Sequence, residues 1–238
     1  MRHATYLPIA LLLSWLLSAC QPQPVPEPRP DLPAETSWPA YDFKRAAASG
    51  LPVYSLNPAS SHIDVVVRRE GSLARLGHDH VVAARDAQAY LLLGGPMENW
   101  RAEMRFEAEK LDVDPVEERA KYQLDTDPDA DAIRGTRRNL LDKVLDAQRW
   151  PRLGIEISDF KREDSGFSAR VRFLVRDAAS EGRYVFSLEH AANSVAVTGT
   201  VLLRQTDLGL EPFSALGGAL RVSDQLEIHL ELNGIRLD

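Results

Sequence analysis

Ala102-Glu-Met-Arg-Phe-Glu-Ala-Glu109 alternates apolar and charged residues, with Met104, Phe106 and Ala108 on one parity and Glu103, Arg105, Glu107 and Glu109 on the other. Successive side chains of a β-strand point to opposite faces, so this stretch reads as a strand with one apolar and one wet face. The same period recurs along the chain: Ile63, Val65 and Val67; Leu153, Ile155 and Ile157; Ala169, Val171, Phe173 and Val175. It continues through Tyr184, Phe186 and Leu188; Val195, Val197, Val201 and Leu203; and Leu226, Ile228, Leu230 and Leu232. Turn residues punctuate the runs at Asp164-Ser-Gly166, Ser180-Glu-Gly182, Ala192-Asn193 and Asp207-Leu-Gly209. Many short half-apolar strands predict a mainly β, antiparallel domain, closed as a barrel or layered as a sandwich.

One principal helix interrupts the pattern. Asp127 is its expected cap, with Pro128 at the first position and Asp129 and Asp131 near its positive end. Ile133, Leu140, Leu141, Val144 and Leu145 form its apolar stripe, expected to cross the sheet or close a barrel end, and Trp150-Pro151 ends it. A shorter helix is expected between Tyr41 and Ser49, ending at Gly50, with the barrel domain at residues 51–238.

The N-terminus reads as an export signal. Arg2 and His3 precede a 12-residue apolar stretch, Tyr6 to Leu17, and Leu17-Ser-Ala-Cys20 follows. A membrane span needs roughly 17–25 apolar residues, which this stretch does not reach. Cys20, the one cysteine of the chain, stands where a lipoprotein signal carries its acylated residue. This predicts residues 1–19 as signal peptide, lipid attachment at Cys20, and residues 20–50 as a proline-rich linker. Ten residues of polyproline II spacer reach roughly 30 Å. The predicted location is the bacterial cell envelope, anchored in a membrane (the outer one, with Gln21 after the cysteine) and facing the periplasm.

Composition narrows the chemistry. The signal holds one of the 28 basic residues and none of the 35 acidic ones, so the mature chain stands at −8. Such a charge argues against nucleic acid and against binding anionic membranes by charge. No G-x-S-x-G, H-E-x-x-H or P-loop pattern occurs, and no catalytic set, cofactor or metal site is assigned. Glu117-Glu118 reads as a solvated pair. Gly77-His-Asp-His80 is the compact polar constellation: on a strand, His78 and His80 share a face and could hold a polar headgroup or supply two metal ligands. A catalytic zinc needs a third protein ligand.

Several segments resemble the YceI-like family of polyisoprenoid-binding, lipocalin-like proteins. Val53-Tyr-Ser-Leu-Asn-Pro-Ala-Ser-Ser-His-Ile-Asp-Val-Val-Val67 is similar to its opening strands. Leu76-Gly-His-Asp-His80, the helix-to-strand block Leu140 to Ile157, and Thr206-Asp-Leu-Gly-Leu210 with Val222 to His229 resemble its later segments. The family's G-x-L-T-x-x-G step has no counterpart near Ser168 to Val175. The resemblance implies a lipocalin-like antiparallel barrel with an apolar channel for a long-chain isoprenoid or similar amphiphile, and binding without catalysis. Phe106, Phe173 and Phe186 are then expected in the ligand's path, with His78 and His80 at its headgroup. Two other readings stay open from the residues: a histidine-centred metal-dependent envelope protein, and a structural or stress-associated protein with a filled core.

Overall fold

The computed structural model describes residues 38–237. Cys20, the expected signal and most of the expected linker lie outside the described residues. In chain order the elements are α1 (Phe43–Ala48), β1 (Val53–Leu56), β2 (His62–Glu70), β3 (His80–Ala84), β4 (Gln88–Leu92), β5 (Arg101–Glu107) and β6 (Leu111–Val113). Then follow α2 (Val116–Lys121), α3 (Ala130–Arg138), β7 (Arg152–Glu163), β8 (Gly166–Val175), β9 (Ala178–His190), β10 (Ser194–Arg204), the two-residue β11 (Ser214–Ala215) and β12 (Leu220–Arg236).

Eight strands close on themselves in the order β1-β4-β5-β7-β8-β9-β10-β12, with β12 pairing back to β1, every pair antiparallel. Closure removes the unpaired edges that an open sheet exposes. The 17-residue β12 is the spine. One of its edges follows β10 from Gln225 to Ile235, while the other pairs with β2 from Arg221 to Glu231 and with β1 from Gly234 to Arg236.

The Asn57-Pro-Ala-Ser-Ser61 step makes that exchange. The Asn57 side chain accepts from the Ala59 amide at 3.2 Å, and Pro58 opens a short 3₁₀ turn. Asn233 then clasps the step: its amide donates to Ser61 Oγ at 3.0 Å and its Nδ2 donates to the Ser60 carbonyl at 2.6 Å. Beyond this branch β2, β3 and β6 extend the wall at one end of the barrel.

α3 covers that end. Its cap is Asp129, whose carboxylate accepts from the Ala132 amide at 2.8 Å, so the cap falls two residues after the expected Asp127 and Pro128 precedes it. A proline and a capping carboxylate both suit a helix start, and here the proline leads into the cap. The helix widens into a π-turn over Asn139–Val144, closed by the Leu145 amide on the Leu140 carbonyl at 2.9 Å. Arg137 ties α3 to β6 by donating to the carbonyls of Leu111 (3.0 Å) and Glu109 (2.6 Å).

Two further expectations move. Ser180-Glu-Gly182 lies inside β9, and the β8–β9 turn is at Arg176-Asp177, with Arg176 at φ +58°. Gly182 serves packing instead: a Cβ there would meet the Tyr184 hydroxyl at 2.7 Å. Glu118 is not a solvated carboxylate. It pairs with Arg85, which also lies 2.8 Å from the fully buried Asp64. α1 forms where expected, and Phe43 is fully buried in a cluster with Val53 and Leu92, so packing begins ahead of Leu51.

Candidate binding site: the barrel cavity

The apolar parity of each strand faces inward, and the register stacks those residues in layers. Across β2 and β12, Val67 opposes Leu226, Val65 opposes Ile228, and Ile63 opposes Leu230. Across β10 and β12, Leu203 opposes Leu226 and Val201 opposes Ile228. On the far wall Met104, Ile155 and Phe173 line up through β5, β7 and β8. These layers do not meet in the middle. They enclose a cavity of about 290 Å³ whose lining is almost wholly apolar. An eight-stranded barrel is the size that either fills its lumen with side chains or holds one small ligand. Here space remains.

Gly199 helps to leave it. A Cβ there would press to 3.2 Å from the Cβ of Phe186, so the glycine gives the Phe186 ring its place. Leu140, Val144 and Leu145 supply the helical part of the lining at the β6 end. The π-turn carries Leu140 and Val144 at its two ends. Such turns are rare within helices and gather at functional sites.

Phe106, Phe173 and Phe186 all line the cavity. Phe173 stands edge-on to Tyr184, with ring centroids 5.9 Å apart at 80°. Burial, and then the charge of Asp207, raises the pKa of the Tyr184 phenol. It is therefore a neutral hydroxyl at the lumen wall.

His78 and His80 are near each other, with ring centroids 6.2 Å apart, but neither is among the lining residues. His80 Nδ1 donates to Asp114 Oδ2 at 2.6 Å. Asp114 is fully buried, adopts φ +57°, and also accepts from Arg119 Nη1 at 2.7 Å and from the Val81 amide at 3.1 Å. Burial alone would raise the Asp114 pKa. The hydrogen bond and charge of His80, with the donors from Val81 and Arg119, outweigh it and hold the carboxyl below the usual range. His80 thus joins β3 to the β6–α2 corner. His78 keeps Nδ1 buried without a hydrogen-bond partner among the described residues.

The second buried carboxylate, Asp64, sits on the outer face of β2. Burial would raise its pKa, but Arg85, Tyr122 and Lys121 outweigh that and lower it. Neither network was legible as such. Asp64 falls on the polar parity of its strand, where an acidic residue looks like a wet face, and Asp114 meets His80 and Arg119 only after folding. Among the described residues no three His, Cys, Asp or Glu side chains converge so as to hold a metal ion, and no helix is long and apolar enough to cross a membrane.

Comparison with known proteins bears on the fold. No protein-family model and no curated protein sequence matches the chain. Among solved structures, Burkholderia cenocepacia BcnA superposes with a TM-score of 0.54 at 10% identity, over 75% of this chain and 98% of that one. A polyisoprenoid-binding domain from Saccharophagus degradans, implicated in plant cell wall breakdown, superposes with a TM-score of 0.53 at 9% identity, over 77% and 98%. At such identities the likeness shows the fold: an antiparallel lipocalin-like barrel with one main helix, as the resemblance to the YceI-like family implies.

Proposed function

We propose that this chain binds a long-chain isoprenoid or a similar amphiphile in the barrel cavity and acts as a lipid-anchored binding or carrier protein of the bacterial envelope, without catalysis. The observation that carries the reading is the cavity itself: a closed barrel whose inward parity leaves about 290 Å³ of apolar space unfilled. Removing apolar area from water is worth roughly 25 cal/mol per Å², so such a lumen favours a hydrocarbon chain over any polar solute. Polyisoprenoid binding by a domain of the same fold supports the choice of chain. Lipid attachment at Cys20 rests on the sequence pattern; it would keep the barrel beside the membrane that holds its ligand.

Neither His78 nor His80 lines the cavity and His80 is engaged by Asp114, so no headgroup contact is assigned to them. Native mass spectrometry of the full chain, purified from bacterial envelopes in mild detergent, tests the function. The expected spectrum shows a stoichiometric long-chain adduct besides the acyl groups at Cys20. A chain carrying no such adduct, and none after incubation with polyprenyl phosphate, refutes it.

A further inference from the structure

The few polar side chains along the lumen differ in whether they are satisfied. Tyr54 Oη donates to the Ala191 carbonyl at 2.9 Å. Asn233 is held in its clasp by the Ser60 carbonyl. Glu103, on the outward parity of β5, accepts from the amides of Ala40 and Tyr41 at 2.6 and 2.8 Å. Tyr184 lines the cavity on the inward parity of β9, yet its hydroxyl has no hydrogen-bond partner among the described residues. A tyrosine hydroxyl turned away from bulk water ordinarily finds one.

The position of that hydroxyl is set by its neighbours. A Cβ at Gly182 would meet the Tyr184 hydroxyl at 2.7 Å and its ring carbons at 2.8 Å, so the glycine lets the phenol lie along β9 toward the β8–β9 turn. A second polar group faces the same end. Gln205, which follows β10, lines the cavity and is 4% exposed. Its Nε2 donates to the Ser223 carbonyl at 2.7 Å, which leaves Oε1 without a hydrogen-bond partner among the described residues. Leu208, in the turn after Gln205, belongs with Val144 and Leu145 to the buried cluster against which Tyr184 packs. Both polar groups therefore lie at the end that α3 covers.

Charge limits what they can receive. Among the described residues no Arg, Lys or His lines the cavity. A phosphate drawn inside would lose its water and meet no counter-charge, and unpaired burial of an ion is costly. An alcohol suits the site: its oxygen accepts from the Tyr184 hydroxyl, and its proton can be donated to a phenol or carboxamide oxygen.

We propose that the bound amphiphile is a long-chain alcohol, its uncharged head inside the barrel at the α3 end, hydrogen-bonded to Tyr184, with Gln205 as the other acceptor there. This head polarity deepens the cavity reading above, on which it rests. A phosphorylated chain can still enter tail first, but its head stays outside and Tyr184 stays unmatched.

Displacement of a fluorescent polyprenyl probe from the delipidated full chain tests it, with geranylgeraniol, geranylgeranyl phosphate and the oxygen-free hydrocarbon of the same chain as competitors. The alcohol should bind about tenfold or more tightly than the phosphate, whose chain enters less deeply. Tyr184→Phe should weaken the alcohol by about three- to tenfold, the worth of one neutral hydrogen bond, and leave the hydrocarbon unchanged. Phenylalanine keeps the ring against Phe173, so the melting temperature of the empty variant should hold. The ranking of alcohol over phosphate is read on the unsubstituted chain and does not depend on the variant. A phosphate that binds as tightly as the alcohol overturns the inference. So does a Tyr184→Phe variant that leaves the alcohol unchanged or weakens alcohol and hydrocarbon alike. In each of these cases the cavity reading stands, whereas binding of none of the three overturns both.

Discussion

Filling the lumen distinguishes an open barrel from a packed one, and Val171 is the place to do it. Val171 lies in the middle of β8, is buried, lines the cavity, and is flanked by Ile157 on β7 and Gly182 on β9. Val171→Phe adds four carbons on the lumen side. In a filled core such an insertion costs about 1–3 kcal/mol through displaced rotamers and backbone. In a cavity of about 290 Å³ the ring has space, so the delipidated variant should be as stable as the parent or about 1 kcal/mol more stable. The ligand loses what the ring takes. Four excluded methylenes at about 0.8 kcal/mol each amount to about 3 kcal/mol, or about two orders of magnitude in Kd. Urea unfolding of the delipidated chain gives the first quantity, and displacement of a fluorescent polyprenyl probe gives the second. A variant destabilised by 1–3 kcal/mol that binds the probe like the parent would refute the reasoning on both counts.

Four other perturbations follow from the same geometry. Phe173→Ala should destabilise the domain by about 3 kcal/mol, the low end for a buried phenylalanine because one side of the ring faces empty space, as urea unfolding would show. Asp114→Asn should cost about 3 kcal/mol at neutral pH by leaving Arg119 and His80 without their carboxylate, and it should also flatten the acid limb of stability against pH. Asp64 and Asp114 have lowered pKa values in the fold, so the unfolded chain binds protons more tightly. Their contribution is complete above about pH 5 and is lost as pH falls through about 4 and below, which unfolding midpoints measured across that range would trace. Gly166→Ala should weaken the β7–β8 hairpin by more than about 1 kcal/mol, because Gly166 has φ +128° and a Cβ would lie 2.5 Å from the Phe186 carbonyl oxygen; differential scanning calorimetry reads that loss.

The barrel was legible because its inward residues keep strict parity. Met104 and Phe106, Val171 and Phe173, and Ile228 and Leu230 are assigned to the apolar face by counting alone, and each lines the cavity. What counting could not reach is how those faces close. That β12 exchanges β2 for β1 at the Asn233 clasp depends on pairing between residues 172 positions apart, and no local pattern carries it. The emptiness of the lumen was equally hidden, since a filled core and a tunnel use the same residue types. Asp64 and Asp114 show the converse problem: polar residues in polar-looking positions became buried because α2 folds over β2 and β3, bringing Arg119, Lys121 and Tyr122 with it. Histidine spacing placed His78 and His80 side by side, yet could not say that Asp114 would occupy one of them.

The central claim is that an amphiphile's chain lies in the barrel among Phe106, Phe173 and Phe186. An experimental density map of the protein purified from bacterial envelopes, without delipidation, tests it most directly. Continuous tubular density along the lumen, in contact with those three rings, is the predicted result. A lumen occupied by repacked side chains or by hydrogen-bonded waters, in protein prepared that way, would contradict it.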